Sequence, residues 1–168
     1  MPLHIVLLEP EIPQNTGNIA RTCAALQAEL HLIEPLGFSL ADRYLKRAGL
    51  DYWDLVTLHL HPDLDDFMAR ADPECTYYFT TKARQRHTDI IYPETVYLMF
   101  GKESAGLPEE LLLAHPAQCL RIPMLAAVRS LNLSNAAAVA AYEYCRQLDY
   151  PGLSSGGNLH RHSWPPTE

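Results

Sequence analysis

Short apolar runs separated by polar turns recur along this chain. Residues 3–8, LHIVLL, predict a strand buried on both faces, as in a parallel sheet, ending at Glu9-Pro10. In the following EIPQNTGNIARTCAALQAEL, Ile19, Cys23, Leu26 and Leu30 recur at helical spacing, with Asn15 or Thr16 as the expected N-cap. Residues 30–34 predict a second strand, LADRYLKRAGL a helix ending at Gly49, and residues 55–60 a third strand. Asp63 to Ala71 predicts a helix, TYYFTT (76–81) a fourth strand and TVYLMF (95–100) a fifth. Pro108 to Ala114 reads as a helix, Cys119 to Ile122 as a strand broken by Pro123, and residues 134–148 as an alanine-rich helix capped by Asn132 or Ser134. From Tyr150 onward the chain is rich in Gly, Ser and Pro without periodicity. Residues 1–152 are therefore expected to form one domain, and 153–168 a disordered or loosely attached tail.

Composition narrows the class. A chain of 168 residues is one domain by size, and no apolar run approaches membrane-spanning length. MPLHIVLLEPEIP lacks a basic region and meets Glu and Pro early, so it reads as a first strand rather than a signal peptide, and the cytoplasm is expected. Cys23, Cys75, Cys119 and Cys145 form no CxxC and are expected to be free thiols. His59 and His61 alternate in a strand, but no third ligand stands near them in sequence and no metal centre is expected. The net charge of −7 excludes a wholly basic nucleic-acid binder, so a polyanion would have to meet a local patch.

Candidate chemistry gathers at strand ends. Asn18 and Arg21 share a helix face, with Asn15 just ahead, so one arginine stands near a strand-to-helix turn. Arg43, Lys46 and Arg47 end a helix, where they suit either the helix dipole or a phosphate. Lys82, Arg84 and Arg86 form the most basic stretch, beyond a strand's C-terminal end, where ligands of open parallel sheets bind. In GKESAGLP, Gly101 and Gly106 bracket Glu103. The spacing fits neither GxxxxGK[ST] nor GxGxxG, and a glycine at the strand end would let a ligand approach the backbone. In IPMLAAVRSLNLSN, Ser130, Asn132, Ser134 and Asn135 concentrate polar groups that either cap the helix or meet an adenine edge or a ribose hydroxyl.

Taken in order, PQNTGNIAR (13–21), LMFGKESAGLP (98–108) and RIPMLAAVRSLNLSNAAAVAAYE (121–143) resemble the three motifs of the knotted SPOUT-class RNA 2′-O-ribose methyltransferases. The short chain opening HIVLLEPEIPQNTGNIAR is most similar to the minimal tRNA enzymes of that class, which methylate the wobble nucleotide, cytidine or modified uridine 34. The resemblance covers roughly residues 3–152. It implies an α/β fold, a mostly parallel sheet with helices on both faces, and a deep C-terminal trefoil knot, a rare exception to unknotted topology. It further implies S-adenosylmethionine as cofactor, tRNA as substrate (leucine tRNAs being the expected isoacceptors) and a homodimer packed through the knot. By position, Phe79, Thr80, Gly101, Glu103, Ile122, Ser130, Leu131, Asn132 and Asn135 match the cofactor-binding residues, Arg21 and Asn15 the catalytic ones, and Tyr142 the dimer helix. Arg43, Lys46, Arg47, Lys82, Arg84 and Arg86 would form the RNA track. Ala105 departs from relatives that carry a basic residue there. Two alternatives stay open: a knotted methyltransferase acting on another RNA site or a base, and an RNA-binding dimer without turnover.

Overall fold

The computed structural model describes residues 2–40, 52 and 55–165. Seven strands, β1 (Leu3–Leu8), β2 (Glu29–Ile33), β3 (Leu58–His61), β4 (Thr76–Phe79), β5 (Gln85–Arg86), β6 (Val96–Phe100) and β7 (Cys119–Arg121), pair in the order β3-β2-β1-β6-β4-β7-β5. Every pairing is parallel. Apolar runs such as LHIVLL make this possible, because both faces of each central strand are covered. On one face, Leu3, Ile5 and Leu7 pack with Ile19, Cys23 and Leu26 of α1 (Pro13–Leu26) and with Ala137, Ala140 and Tyr144 of α4 (Leu133–Gln147). On the other, Val6, Leu8 and Met99 meet Phe67 of α2 (Leu64–Met68) and Leu112 of α3 (Glu109–Ala114). The expected α/β fold with helices on both faces is what the chain forms.

Boundaries differ where local chemistry was outvoted. α1 starts at Pro13, placing Asn15 and Thr16 inside its first turn rather than at its cap. Proline suits the first helical position, having no N–H to leave unpaired. The helix stops at Leu26, Gln27 turns left-handed (φ 52°) and Ala28 N–H closes on the Cys23 carbonyl, so Leu30 belongs to β2 alone. The expected helix Asp63 to Ala71 shortens to Leu64–Met68, with Asp63 as its cap. Of the two expected caps for α4, Asn132 takes the role. β5 lies within the basic loop, where no strand was expected, and the expected helix LADRYLKRAGL, with Arg43, Lys46 and Arg47, falls outside the described residues save Leu40.

In the C-terminal part of the sheet a later strand lies between two earlier ones. β4 and β5 are separated by residues 80–84 alone, yet β7 lies between them, Phe79 and Gln85 both registering on Leu120. Segment 80–84 therefore arches across β7, held by Thr80 N–H to the Leu120 carbonyl and, beyond β5, His87 N–H to that of Arg121. Leu153 still packs against the core, one residue past the expected boundary, and residues 154–165 are exposed without helix or strand. Among the described residues no helix is long and apolar enough to cross a membrane, and all four cysteines are free thiols.

Candidate functional site

Beyond the C-terminal ends of β4, β6 and β7 lies a cavity of about 420 Å³, where ligands of open parallel sheets collect. Phe79 and Phe100, register partners on β4 and β6, stack at 4.8 Å and 23° and supply apolar wall. Thr80 and Lys82 line it from the arch, Gly101 to Gly106 from the loop after β6, and Ile122, Ser130, Leu131 and Asn132 from the segment between β7 and α4. Seven of the nine residues matched to cofactor binding thus line it: Phe79, Thr80, Gly101, Ile122, Ser130, Leu131 and Asn132.

The eighth, Glu103, also lines the cavity, but its carboxylate is engaged elsewhere. It accepts from the backbone N–H groups of Glu11 (2.8 Å) and Ile12 (3.2 Å) and from Asn15 Nδ2 (2.8 Å). Those N–H groups stand at the start of α1, whose cap residue Ile12 offers no side-chain acceptor. Glu103 therefore caps α1 from 88 residues away, an anion against the positive helix end. Asn15, buried, passes the chain on: its Oδ1 accepts from Asn132 Nδ2 (3.0 Å). Asn132 Oδ1 accepts from Ser134 N–H, Ser134 Oγ–H and Asn135 N–H, capping α4. One hydrogen-bonded chain thereby links the three sequence motifs and the starts of both long helices. Asn135, the ninth, does not line the cavity, and its backbone N–H serves this cap.

Gly101 has a different reason from ligand approach. A Cβ there would lie 2.1 Å from the Gly106 carbonyl carbon, so the loop's own backbone occupies that space. The loop closes through Gly106 N–H to the Lys102 carbonyl (2.8 Å), with Gly106 itself at φ 73°, a conformation that favours glycine. Two straps fasten it to the turn after β1: Lys102 Nζ donates to Glu9 (2.6 Å), and Ser104 N–H and Oγ–H donate to Glu11 (2.9 and 2.8 Å). Ser104 holds the Glu11 carboxyl below its usual range, and Glu9 raises Lys102. The EPE spacing that builds these straps gave no sign in sequence, because its partner loop lies more than 90 residues on.

Of the cationic candidates among the described residues, only Lys82 lines the cavity. Arg21, on the exposed side of α1, holds its guanidinium carbon 5.0 Å from the Tyr52 ring centroid, a cation–π contact. Lys82 pairs with Glu109 (2.6 Å) and lowers that carboxyl, while Arg86 pairs with Asp89 (2.8 Å). Arg84 is exposed. Such surface pairs contribute at most about 1 kcal/mol, little to set against a phosphate. Exposed apolar residues border the site: Ile12, Leu125, Val128 and Leu131, with Val139 and Tyr142 on α4.

Comparison with known proteins gives this geometry a lineage. The Escherichia coli K12 tRNA (cytidine(34)-2'-O)-methyltransferase is 50% identical over 151 residues, covering 89% of this chain and 96% of its own. A solved structure concerned with the 2-OH methylation of C/U34 on tRNA aligns at 51% identity with a TM-score of 0.83, covering 88% of this chain and 96% of that one. An AdoMet-bound rRNA methyltransferase from Sinorhizobium meliloti shares 25% identity at a TM-score of 0.77, covering 87% of this chain and 56% of that one. The profile of the SpoU rRNA Methylase family matches residues 2–142, and this chain belongs to that family.

Proposed function

We propose that this protein transfers a methyl group from S-adenosylmethionine to the ribose 2′-hydroxyl of nucleotide 34 of tRNA. The observation that carries the reading is the cavity formed where the three motifs meet, in a chain half identical over nearly its whole length to an enzyme of that name. The cavity suits the cofactor. Its volume lies in the small-molecule range, its aromatic and aliphatic wall (Phe79, Phe100, Ile122, Leu131) suits an adenine, and Thr80, Ser130 and the backbone near Gly101 offer polar groups. Bound there, S-adenosylmethionine supplies an electrophilic sulfonium methyl. The chain's own task is positioning, because in-line displacement depends on holding the hydroxyl oxygen in place.

Arg21 is assigned to the substrate. A guanidinium stays protonated above about pH 12 and does not serve as a base. It stabilises the developing alkoxide or clamps the neighbouring phosphate, while the proton leaves through a phosphate oxygen or water. Asn15 is a positioning residue, its amide spent between Glu103 and Asn132. Lys82, Arg84 and Arg86 give the phosphate track beside the cavity. The exposed apolar residues around Tyr142 and Leu125 support the homodimer, and the arch of residues 80–84 over β7 supports the trefoil knot. An enzyme of tRNA places the protein in the cytoplasm. Methylation of rRNA, the family's name and the activity of the Sinorhizobium meliloti neighbour, is the second reading, set against twice the identity to the tRNA enzyme.

The test is transfer of labelled methyl from S-adenosylmethionine to bulk tRNA lacking this modification, with nuclease mapping of the label. A 2′-O-methyl at nucleotide 34 is expected. Label at another nucleotide discards the substrate assignment. No label despite cofactor binding leaves an RNA-binding dimer without turnover.

A further inference from the structure

At the opposite end of the sheet from the cavity, four histidines face the α2 side of adjacent strands. His4 on β1 registers on Glu29 of β2, and His31, two residues further along β2, registers on His59 of β3. His61 stands two residues beyond His59. His4 Nδ1 lies 3.0 Å from His31 Nε2 and 3.7 Å from Glu29 Oε2, and the ligand-capable atoms of His4, Glu29 and His31 all lie within 4.8 Å of one another. From this geometry we infer a binding site for a divalent transition-metal cation, zinc by its donor set, with His4 Nδ1, His31 Nε2 and a Glu29 carboxylate oxygen as ligands. Zinc bonds of about 2.0–2.2 Å in a tetrahedron separate neighbouring donors by about 3.3 Å, so small side-chain rotations complete the set and leave a fourth position for water.

The surroundings fix the ligand atoms. Arg70 forks onto Asp66, so that carboxylate stays ionised and accepts from His61 Nδ1–H (2.8 Å). His61 Nε2 then accepts from His31 Nδ1–H (3.0 Å), which leaves the lone pair of His31 Nε2 aimed at His4 and Glu29. A ligand histidine whose other nitrogen donates along a chain to a carboxylate is how metal sites orient their imidazoles. His59 Nε2 donates to Glu29 Oε2 (2.6 Å) and its ring stacks on His31 at 4.4 Å, holding the third ligand and shielding one side. Coordination needs His4 only to exchange its Nδ1–H tautomer for Nε2–H, with no net proton released. Glu29 is 40% exposed and gives the ion a way in, while paired strand backbones hold all three ligands. Sequence alone offered the alternation of His59 and His61 and the tail pair His160 and His162, because the ligand set is brought together by the pairing of β1 with β2.

The test is titration of chelator-stripped protein with Co²⁺ by visible spectroscopy, then displacement by Zn²⁺ followed by calorimetry. One Co²⁺ per chain, with the intense d–d bands of four-coordination and no thiolate charge-transfer band, is expected. His4→Gln and Glu29→Gln, checked for folding by circular dichroism, should each weaken Zn²⁺ binding at least tenfold. Asp66→Asn, acting through the His61–His31 chain, should weaken it about 10- to 100-fold. The exposed tail variant His160→Gln/His162→Gln should bind as the parent does. Absence of micromolar binding, a thiolate band, or loss of binding in the tail variant with retention in Glu29→Gln would overturn the site. The four histidines would then be a hydrogen-bonded chain and nothing more.

Discussion

Replacing Glu103 by glutamine keeps the side chain's length and planarity but removes its charge and turns one acceptor oxygen into a donor. In the native loop Oε2 receives Glu11 N–H, and Oε1 receives Ile12 N–H and Asn15 Nδ2–H. Whichever way the amide turns, its NH₂ faces at least one N–H donor. An unsatisfied donor costs about 1–3 kcal/mol, and loss of the anion at a helix start adds about 0.3–1 kcal/mol. Glu103 is half-buried, so water softens the loss, and about 2–3 kcal/mol is expected in total. For a chain of 168 residues that lowers Tm by about 4–12 °C. Urea unfolding at constant m-value reads the stability, and calorimetric titration with S-adenosylhomocysteine reads the site. Stability should fall, with cofactor affinity following only as far as the loop loosens. A variant within about 0.5 kcal/mol of the parent whose cofactor affinity collapses would refute this account and make Glu103 a direct cofactor ligand.

Gly101→Ala puts a methyl 2.1 Å from the Gly106 carbonyl carbon, so the loop must open; a loss of at least tenfold in S-adenosylhomocysteine affinity and several degrees in Tm is expected. Asn132→Ala removes the α4 cap and leaves Asn15 Oδ1 without its donor, costing about 1–2 kcal/mol in urea unfolding, whereas Asn132→Asp should recover most of the cap. Arg146, aided by Gln147 and against burial, holds the Glu143 carboxyl at about 2, below its ordinary 4.5. This stabilisation is present above the unfolded value and lost as pH falls from about 4.5 through about 2, so Glu143→Gln should flatten the acid limb of Tm against pH and lower neutral stability by the amount that limb loses. Arg21→Ala and Arg21→Lys should each cut methyl transfer at least a hundredfold with cofactor affinity nearly unchanged; retention of most of the rate by lysine would exclude the bidentate clamp.

The apolar runs made the sheet legible because a strand covered on both faces carries its burial in its own residues, as LHIVLL does. The long helices were legible for a similar reason, their apolar stripes repeating at 3.6 residues. Their starts were not equally so. Asn132 caps α4 locally and could be read, whereas the acceptor for α1 is Glu103, and no propensity at Asn15 or Thr16 could announce a cap supplied from another motif. The cavity wall was legible through motif resemblance, but the reason for Gly101 was not: contact between backbones is invisible to a pattern of residue types. The histidine cluster escaped for the same cause, since cross-strand register decides which side chains meet.

These observations bear on when the site forms. The cavity draws on residues 79–82, 100–106 and 122–136, and β7 must lie between β4 and β5 before the first and last of these can face each other. The pairing of β7 with β4 is non-local and costs loop closure before it gains contacts. The β3-β2-β1-β6 half carries much of the buried apolar surface. The cavity therefore needs three segments distant in sequence to be in place together. A ligand bound there, with its interactions spread over the arch, the glycine loop and the start of α4, stabilises the arrangement of all three. The Glu103–Asn15–Asn132 chain serves the same end without a ligand, joining the start of α4 and the loop after β6 to the first turn of α1.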